Sequence, residues 1–529
     1  MTKFIIVTGG VLSGLGKGVA VASIGQLLSY DYKVVPIKCD GYLNVDPGTM
    51  NPVEHGEVFV LDDGTEVDMD FGHYERFLGV TCNGRQNLTM GKVFDEIRKL
   101  EREGKFLGKT VQFIPHASNH IKSWWEEIAK NQNADVALVE IGGTIGDIEN
   151  ELYVEAARSL FLEKGAREVL FVHLTYVPIP RGVNEQKSKP TQQSTSLLMQ
   201  RGIRPDMILC RCEEYIEDKI RNKISTFCNV PENAVISAVD VKSIYEIPLV
   251  FEKQGILKIL EDRLGLKAKP DLLRWKKLIE NHRTNTLAIG ICGKYTALED
   301  SYASVVEALH HAGNQNNVSI KIKWIDTTEI DDGNISESLK DLDGIIVPGG
   351  FGSRGIEGKI RVITYCRKND VPYLGLCYGL QLAVVEFARN VCGLKAHTTE
   401  IEKNTSEPVI DILPDKKNLK DMGGTLRLGA YPAKLKKGTL VHSLYGTEEV
   451  SERHRHRYEV NPKYHKILEE KGLVLSGLSP DGQLVEFIEL ANHPYFVATQ
   501  AHPELKSSLL KPAPLFNGLI KAAIKKKKI

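Results

Sequence analysis

The 529 residues are 42% hydrophobic and 26% charged, an ordinary globular mixture long enough for two large domains or three ordinary ones. The 68 Lys and Arg side chains balance 68 Asp and Glu, which argues against a dedicated nucleic-acid binder, because such proteins draw much of their affinity from phosphate neutralisation. No run approaches the roughly 18–20 apolar residues that span a bilayer. The nine cysteines are scattered, odd in number and without a Cys-x-x-Cys pair, which suits a reducing cytoplasmic compartment better than a disulfide framework.

The chain opens on Phe4–Thr8, an apolar stretch that runs into Gly9-Gly10 without a cleavage-site pattern, so a buried first strand is expected rather than a signal peptide. The Gly-rich stretch Gly9–Gly18 follows and leads into helical apolar spacing over Val19–Leu28. Such a loop curls so that successive N–H groups point at phosphate, with a helix N-terminus behind them and Lys17 reaching the β- and γ-phosphates. It departs from a strict Walker A pattern, since Gly18 stands where Ser or Thr would supply a hydroxyl ligand for Mg²⁺. Carboxylates must then hold the metal. The candidates are Asp68 and Asp70, and Glu140 at the end of the apolar run Val136–Val139.

Further apolar runs at Val34–Ile37, Val136–Ile141, Val169–Leu174 and Met207–Cys210, with helical spacing at Val93–Leu100, predict a parallel sheet covered on both faces. In such a sheet ligands collect beyond the carboxyl ends of the strands. Lys187-Ser188-Lys189-Pro190-Thr191-Gln192 offers two ammonium groups, hydroxyls and an amide, a second cradle for a triphosphate. Cys210-x-Cys212 lacks the partners of a four-ligand zinc set. The stretch 267–286, with Lys267, Lys269, Pro270, Arg274, Lys276 and Lys277, reads as a polar connector carrying a short helix between domains at 1–266 and 287–529.

The second half repeats the opening signature: Leu287–Ile291 runs into Gly293-Lys294, with further strands expected at Gly344–Val347, Tyr373–Leu376 and Phe496–Ala498 and a helix over Leu380–Phe387. Tyr373–Gln381 combines an apolar strand, Gly-x-Cys-x-Gly and an apolar helix, a nucleophile elbow with Cys377 in place of serine. The helix N-terminus behind Cys377 favours thiolate and oxyanion alike. His502-Pro503-Glu504 supplies a base and, two residues on, a carboxylate to orient it. Gly349-Gly350-Phe351-Gly352 offers backbone N–H donors for an oxyanion. In Glu452–Arg457 the alternating arginines argue against a metal site, and Lys525–Lys528 reads as a solvated, frayed end.

The first half resembles the synthetase domain of the CTP synthase family, a relative of the dethiobiotin-synthetase fold. The resemblance rests on Ser13–Gly18, Asn44–Met50, His55–Val60, Glu140–Glu149 and Lys187–Gln192. It implies that the ATP phosphates lie on Gly14, Leu15, Gly16, Lys17, Gly18 and Val19, with Mg²⁺ on Asp70 and Glu140 and the adenine near Val239, Asp240 and Val241. UTP would be held by Ser13, Lys187, Ser188, Lys189, Pro190, Thr191, Gln192 and Lys223. Asp147, Ile148 and Glu149 would recognise CTP as a feedback inhibitor.

The second half resembles the class I glutamine amidotransferases. This implies attack by Cys377 on the glutamine side chain, with Gly350, Tyr378, Gly379, Leu380, Gln381, Glu400 and Arg457 touching the substrate. The fold implied is α/β throughout, two doubly wound, mostly parallel-sheet domains, the first P-loop-like. The family also implies GTP as activator, a homotetramer and filament formation. The chain departs from the family form at Gly41 (usually proline), at Arg181–Asn184, at Tyr378 (usually leucine) and at Ala501 (usually aromatic). A proline-to-glycine exchange at 41 is expected to loosen a loop near the nucleotide. Two rivals are a cobyrinic- or cobyric-acid-type amidotransferase, which needs neither Asn44–Met50 nor the Lys187–Gln192 cradle, and a catalytically silent scaffold or filament protein, which needs no intact active-site residues.

Overall fold

The computed structural model describes residues 1–50, 56–280, 283, 285–294, 299–412 and 426–529. His55 of the family stretch lies outside the described residues. The chain divides into two compact units, Met1–Thr49 with Met69–Ile279, and Met50–Asp68 with Glu280–Ile529.

The first unit is built on seven parallel strands, in the spatial order Asn87–Thr89, Val34–Asp40, Val136–Ile141, Lys3–Gly9, Val169–Tyr176, Met207–Cys212 and Val235–Val239. Nearly every strand residue is buried, as continuous apolar runs require when helices cover both faces. The first strand lies at the centre, where the chain changes sides, so the crevice beyond its carboxyl end is the ligand position of this architecture. Register places Lys38 opposite Glu140 on the neighbouring strand.

The sequence reading left 267–286 outside either core. Instead the helix Leu273–Glu280 packs onto the first unit through Trp275, which is fully buried, lies 5.6 Å from the Phe77 ring and donates from Nε1 to the Tyr245 carbonyl at 2.8 Å. One buried indole outweighs the surrounding lysines, which keep their charges in water along the outer face.

The second unit carries a nine-stranded sheet. Five strands, Ser319–Asp326, Thr286–Gly293, Gly344–Val347, Tyr373–Leu376 and Phe496–Thr499, run parallel. Val485–Glu489, Val474–Leu478, Arg427–Leu435 and Glu449–His456 extend it antiparallel. The small hairpin of Phe59–Val60 and Glu66–Val67 belongs to this unit, held by Arg453 to Asp62 at 2.5 Å and Arg455 to Glu66 at 2.6 Å. The alternating arginines of Glu452–Arg457 therefore serve partly as ion-pair partners for a segment distant in sequence. The lysine-rich end is helical through Lys527 rather than frayed. Lys526 donates to the Leu342 carbonyl at 3.0 Å, and Lys527 pairs with Asp343 at 2.9 Å.

Candidate active sites

In the first unit, β-strand Lys3–Gly9 ends at the loop that turns into helix Lys17–Leu28. Gly16 caps that helix with a φ of 91°, a left-handed conformation that glycine adopts without strain. Lys17 Nζ donates to the Gly143 carbonyl at 2.8 Å. Burial pushes its ammonium down from the usual lysine range, and the nearby Lys38 adds to this while Glu140, Asp70 and Asp40 oppose it.

Asp70 opens helix Asp70–Leu78 and Glu140 lies within strand Val136–Ile141. Both carboxylates meet at Lys38, which pairs closely with Asp70, lies 3.1 Å from Glu140 and 3.5 Å from Asp40. Tyr74 hydroxyl donates to the other Glu140 oxygen. A Cβ at Gly18 would stand 2.6 Å from the Asp70 carboxyl carbon. At Gly18, therefore, the Asp70 carboxylate fills the room that a Ser or Thr side chain would take.

Burial pushes the Glu140 carboxyl up, with Asp70 adding to the effect. For Asp70 itself burial is outweighed by Lys38, His73 and Lys17, and the net direction is down. Three carboxylates around Lys38 and Lys17 leave an excess of negative charge that a hard cation relieves. Among the described residues no group of three or more protein side chains could hold a metal alone. Two carboxylates are what Mg²⁺ takes when waters and phosphates complete its shell, so the donor set fits that ion. Asp68 falls in the segment belonging to the second unit.

The other nucleotide candidates are less uniform. Gly14, Ser13 and Ile148 are exposed, Leu15 is buried, and Val19 is half-buried beside the loop. Lys187 pairs with Glu185 at 2.8 Å, and burial being negligible there, the Glu185 carboxyl is held down by Lys187, with smaller contributions from Lys219 and Lys223. Lys189 and Pro190 open helix Lys189–Gln200. Ser188 accepts from Gln192 at 3.0 Å, whereas Thr191 is fully buried, its hydroxyl within 3.0 Å of Thr175 and donating to the Tyr176 carbonyl. Asp147 accepts from the Thr144 N–H at 2.9 Å. Val239 ends its strand, Asp240 pairs with Arg211 at 2.8 Å, and Val241 is half-buried.

Gly41 does not fit the expectation of a loosened loop. A Cβ there would lie 2.7 Å from that of Glu149 and 2.9 Å from its carbonyl carbon, so glycine permits the two segments to touch.

Sequence reasoning missed Lys38, although it sits near the carboxyl end of an apolar strand, as Glu140 does. It also missed His173, fully buried beside the loop, where Nδ1 meets Thr8 Oγ1 and Nε2 meets Ser194 Oγ, each at 2.8 Å. Burial, with Lys17 adding, pushes His173 down to about 3, so it is a neutral strut.

In the second unit, Cys377 stands between strand Tyr373–Leu376 and helix Tyr378–Asn390 with a φ of 51° and ψ of −100°. That is strained for a residue with a side chain, and such strain is tolerated where a nucleophile must project from the turn. The turn is pinned by the Cys377 N–H donating to the Thr499 carbonyl at 2.8 Å. A side chain at Gly379 would run into the Val347 carbonyl. Gln500 Nε2 approaches the sulfur to 3.7 Å, a contact with no sequence signal beyond its place after a strand.

His502 Nδ1 lies 2.7 Å from Glu504 Oε1, and Glu504 is buried. Burial disfavours the imidazolium, yet Glu504 and the nearby Cys377 outweigh it and raise His502 well above the usual histidine range. An imidazole held by a buried carboxylate beside a sulfur is the setting in which a cysteine can be activated. Around it, the Gly352 N–H donates to Glu400 at 2.8 Å, Tyr378 hydroxyl donates to the Gly352 carbonyl at 3.3 Å, and Gln381 donates to the Tyr458 carbonyl at 2.8 Å. Burial raises the Glu400 carboxyl, against the Gly352 hydrogen bond, Lys294, Arg457 and Lys359. Gly350, Tyr378, Gln381 and Glu400 thus gather near Cys377, with Leu380 buried behind them.

Residues 3–266 match the family model described as CTP synthase N-terminus, and residues 297–522 match glutamine amidotransferase class-I. A CTP synthase of Pyrococcus abyssi is 54% identical over 529 residues, covering 99% of this chain and 98% of the relative. One of Borreliella burgdorferi is 52% identical over 532 residues, with 99% of each covered. Among solved structures, the glutaminase domain of Trypanosoma brucei CTPS with bound acivicin is 36% identical, with a TM-score of 0.43, covering 45% of this chain and 94% of that domain. No helix among the described residues is long and apolar enough to cross a membrane.

Proposed function

The chain belongs to the CTP synthase family, and we propose that its two constellations divide one reaction between them. It is a glutamine-hydrolysing ligase that uses ATP and glutamine to aminate UTP to CTP. The rival cobyrinic- or cobyric-acid reading falls with that assignment. Our reading of the roles is carried by the alignment of Cys377, His502 and Glu504.

Cys377 attacks the side-chain amide carbon of glutamine, and the oxyanion that forms is met by backbone N–H groups of the Gly349–Phe351 stretch and the start of helix Tyr378–Asn390. His502, steadied by Glu504, passes a proton to the departing ammonia, leaving a glutamyl thioester that water hydrolyses. Glu400 and Arg457 orient the amino acid.

In the first unit, Lys17 and the Gly14–Val19 backbone hold the ATP phosphates while Lys38, freed from its carboxylates, neutralises charge on the transferring group. Asp70 and Glu140 would hold Mg²⁺, which would supply further charge neutralisation at the phosphates. The γ-phosphoryl group passes from ATP to the UTP 4-oxygen and ADP is released; ammonia then adds at C4, loses a proton and expels phosphate. Phosphoryl transfer asks mainly for positioning and charge compensation, which these groups provide. Lys187, Lys189, Gln192 and Lys223 bind UTP, and Asp147, Ile148 and Glu149 bind CTP as inhibitor. The family resemblance supports GTP as activator, a cytoplasmic homotetramer and filaments.

The deciding experiment is CTP formation from UTP, ATP and Mg²⁺, with glutamine and ammonia supplied separately. Product from both donors is expected. Ammonia-only activity, with GTP present, would remove the assigned glutaminase role, and no product from either would return the silent-scaffold reading.

A further inference from the structure

Lys359 lies on helix Ile356–Lys368 and is 1% exposed. Among the described residues no hydrogen bond or ion pair reaches its ammonium. It lies 5.2 Å from the centre of the Tyr378 ring and 3.5 Å from where a Cβ on Gly350 would stand. A Cβ on the preceding residue, Gly349, would stand 2.9 Å from His502 Cε1 and 3.7 Å from the Cβ of Cys377. Gly349 and Gly350 are therefore a partition without side chains, the catalytic pair against one glycine and the Lys359–Tyr378 pair against the next.

The ring is itself held, since the Tyr378 hydroxyl donates to the Gly352 carbonyl and the Gly352 N–H donates to Glu400. Burying an ammonium without a counter-ion is costly unless a negative charge forms nearby. A cation over an aromatic face offsets part of that cost. The charge that forms here during turnover is the thiolate of Cys377 and then the tetrahedral oxyanion.

Building on the assignment of Cys377 as nucleophile, we propose that Lys359 is a positioning residue of the glutaminase. Its ammonium, fixed behind Gly350 by the Tyr378 ring, supplies positive charge to the thiolate and oxyanion at Cys377. The ionisable groups facing it are Lys294, Cys292, Cys377 and Glu400. Burial pushes Lys359 down to about 8, Lys294 adds to this, and Cys292, Cys377 and Glu400 oppose it. The group is thus cationic at neutral pH and loses its charge as pH rises through about 8.

The test is the pH dependence of inactivation of the full chain by iodoacetamide, read as loss of glutamine-dependent CTP formation, in Lys359→Met and Lys359→Arg. Removing the charge is expected to slow inactivation at neutral pH about tenfold and to move the profile up by about one pH unit, equivalent to one unit of thiol titration. The arginine variant should follow the parent protein below about pH 8, where both carry the charge. Ammonia-dependent synthesis in the same samples reports folding. Coincident profiles for Lys359→Met and the parent would overturn the inference. Alkylation at Cys377 that spares glutamine-dependent synthesis would overturn the nucleophile assignment, and this inference with it. Should Lys359→Met not fold, Lys359→Arg decides alone: its glutamine kcat/KM should persist above pH 8 where that of the parent falls, and identical alkaline limbs would count against a role for the charge.

Discussion

In the second unit, sulfur, imidazole and carboxylate already gather at one turn, with His502 2.7 Å from Glu504 and both His502 and Cys377 against the Gly349 backbone. In the first unit the corresponding cations rest on the protein itself: Lys17 on the Gly143 carbonyl, Lys38 among Asp40, Asp70 and Glu140, and Lys187 on Glu185. The difference follows from the chemistry. A covalent nucleophile must be activated before substrate arrives, so its partners are fixed by the fold. A phosphoryl-transfer site gains much of its geometry from the polyphosphate, and until then its charges satisfy one another.

The largest effect expected from this contrast is at Cys377. Replacing it with alanine should abolish glutamine-dependent CTP formation, by roughly 10⁴-fold or more, while ammonia-dependent synthesis continues. Equal loss with both donors, measured side by side, would break the division into two sites. Asp70→Asn comes next. It should weaken Mg²⁺ dependence by at least about tenfold with either nitrogen donor, by analogy with the loss seen when a metal site's supporting groups are removed. Unchanged ammonia-dependent turnover across a Mg²⁺ titration would take Asp70 out of the metal site.

Much of the framework was legible in the sequence because each strand is an apolar run ending in a chemically distinctive turn: Phe4–Thr8 before the glycines, Tyr373–Leu376 before Cys377, Phe496–Ala498 before His502. Relations that depend on three-dimensional register were not. Lys38 meets Glu140 only because two strands separated by about a hundred residues align at that level. Gly18 and Gly41 looked like departures from a pattern, and their reasons, the Asp70 carboxylate and the backbone of Glu149, lie in other segments. Trp275 sits among lysines, and local composition hid one buried indole. The hairpin around Asp62 packs with the second unit through Arg453 and Lys506, pairings some four hundred residues apart that no local pattern announces.

The smallest effect is the most direct test of the contrast itself, because it measures order rather than turnover. If the first site is completed by its ligand, binding of ATP, Mg²⁺ and UTP should slow amide hydrogen exchange over residues 10–18 and 185–192, where Lys17 and Lys187 exchange internal partners for phosphate oxygens. Ligand at about a hundred times its dissociation constant stabilises the bound form by about 2.7 kcal/mol, an upper bound of roughly 100-fold for any exchange that requires the site to open. A glutamine analogue should change exchange over 373–381 much less, since the Cys377 N–H is already donated to Thr499 and the helix behind it is buried. Equal or greater protection at 373–381 would mean that the glutaminase is also assembled by its substrate, and the preformed triad geometry would no longer explain the difference between the two halves.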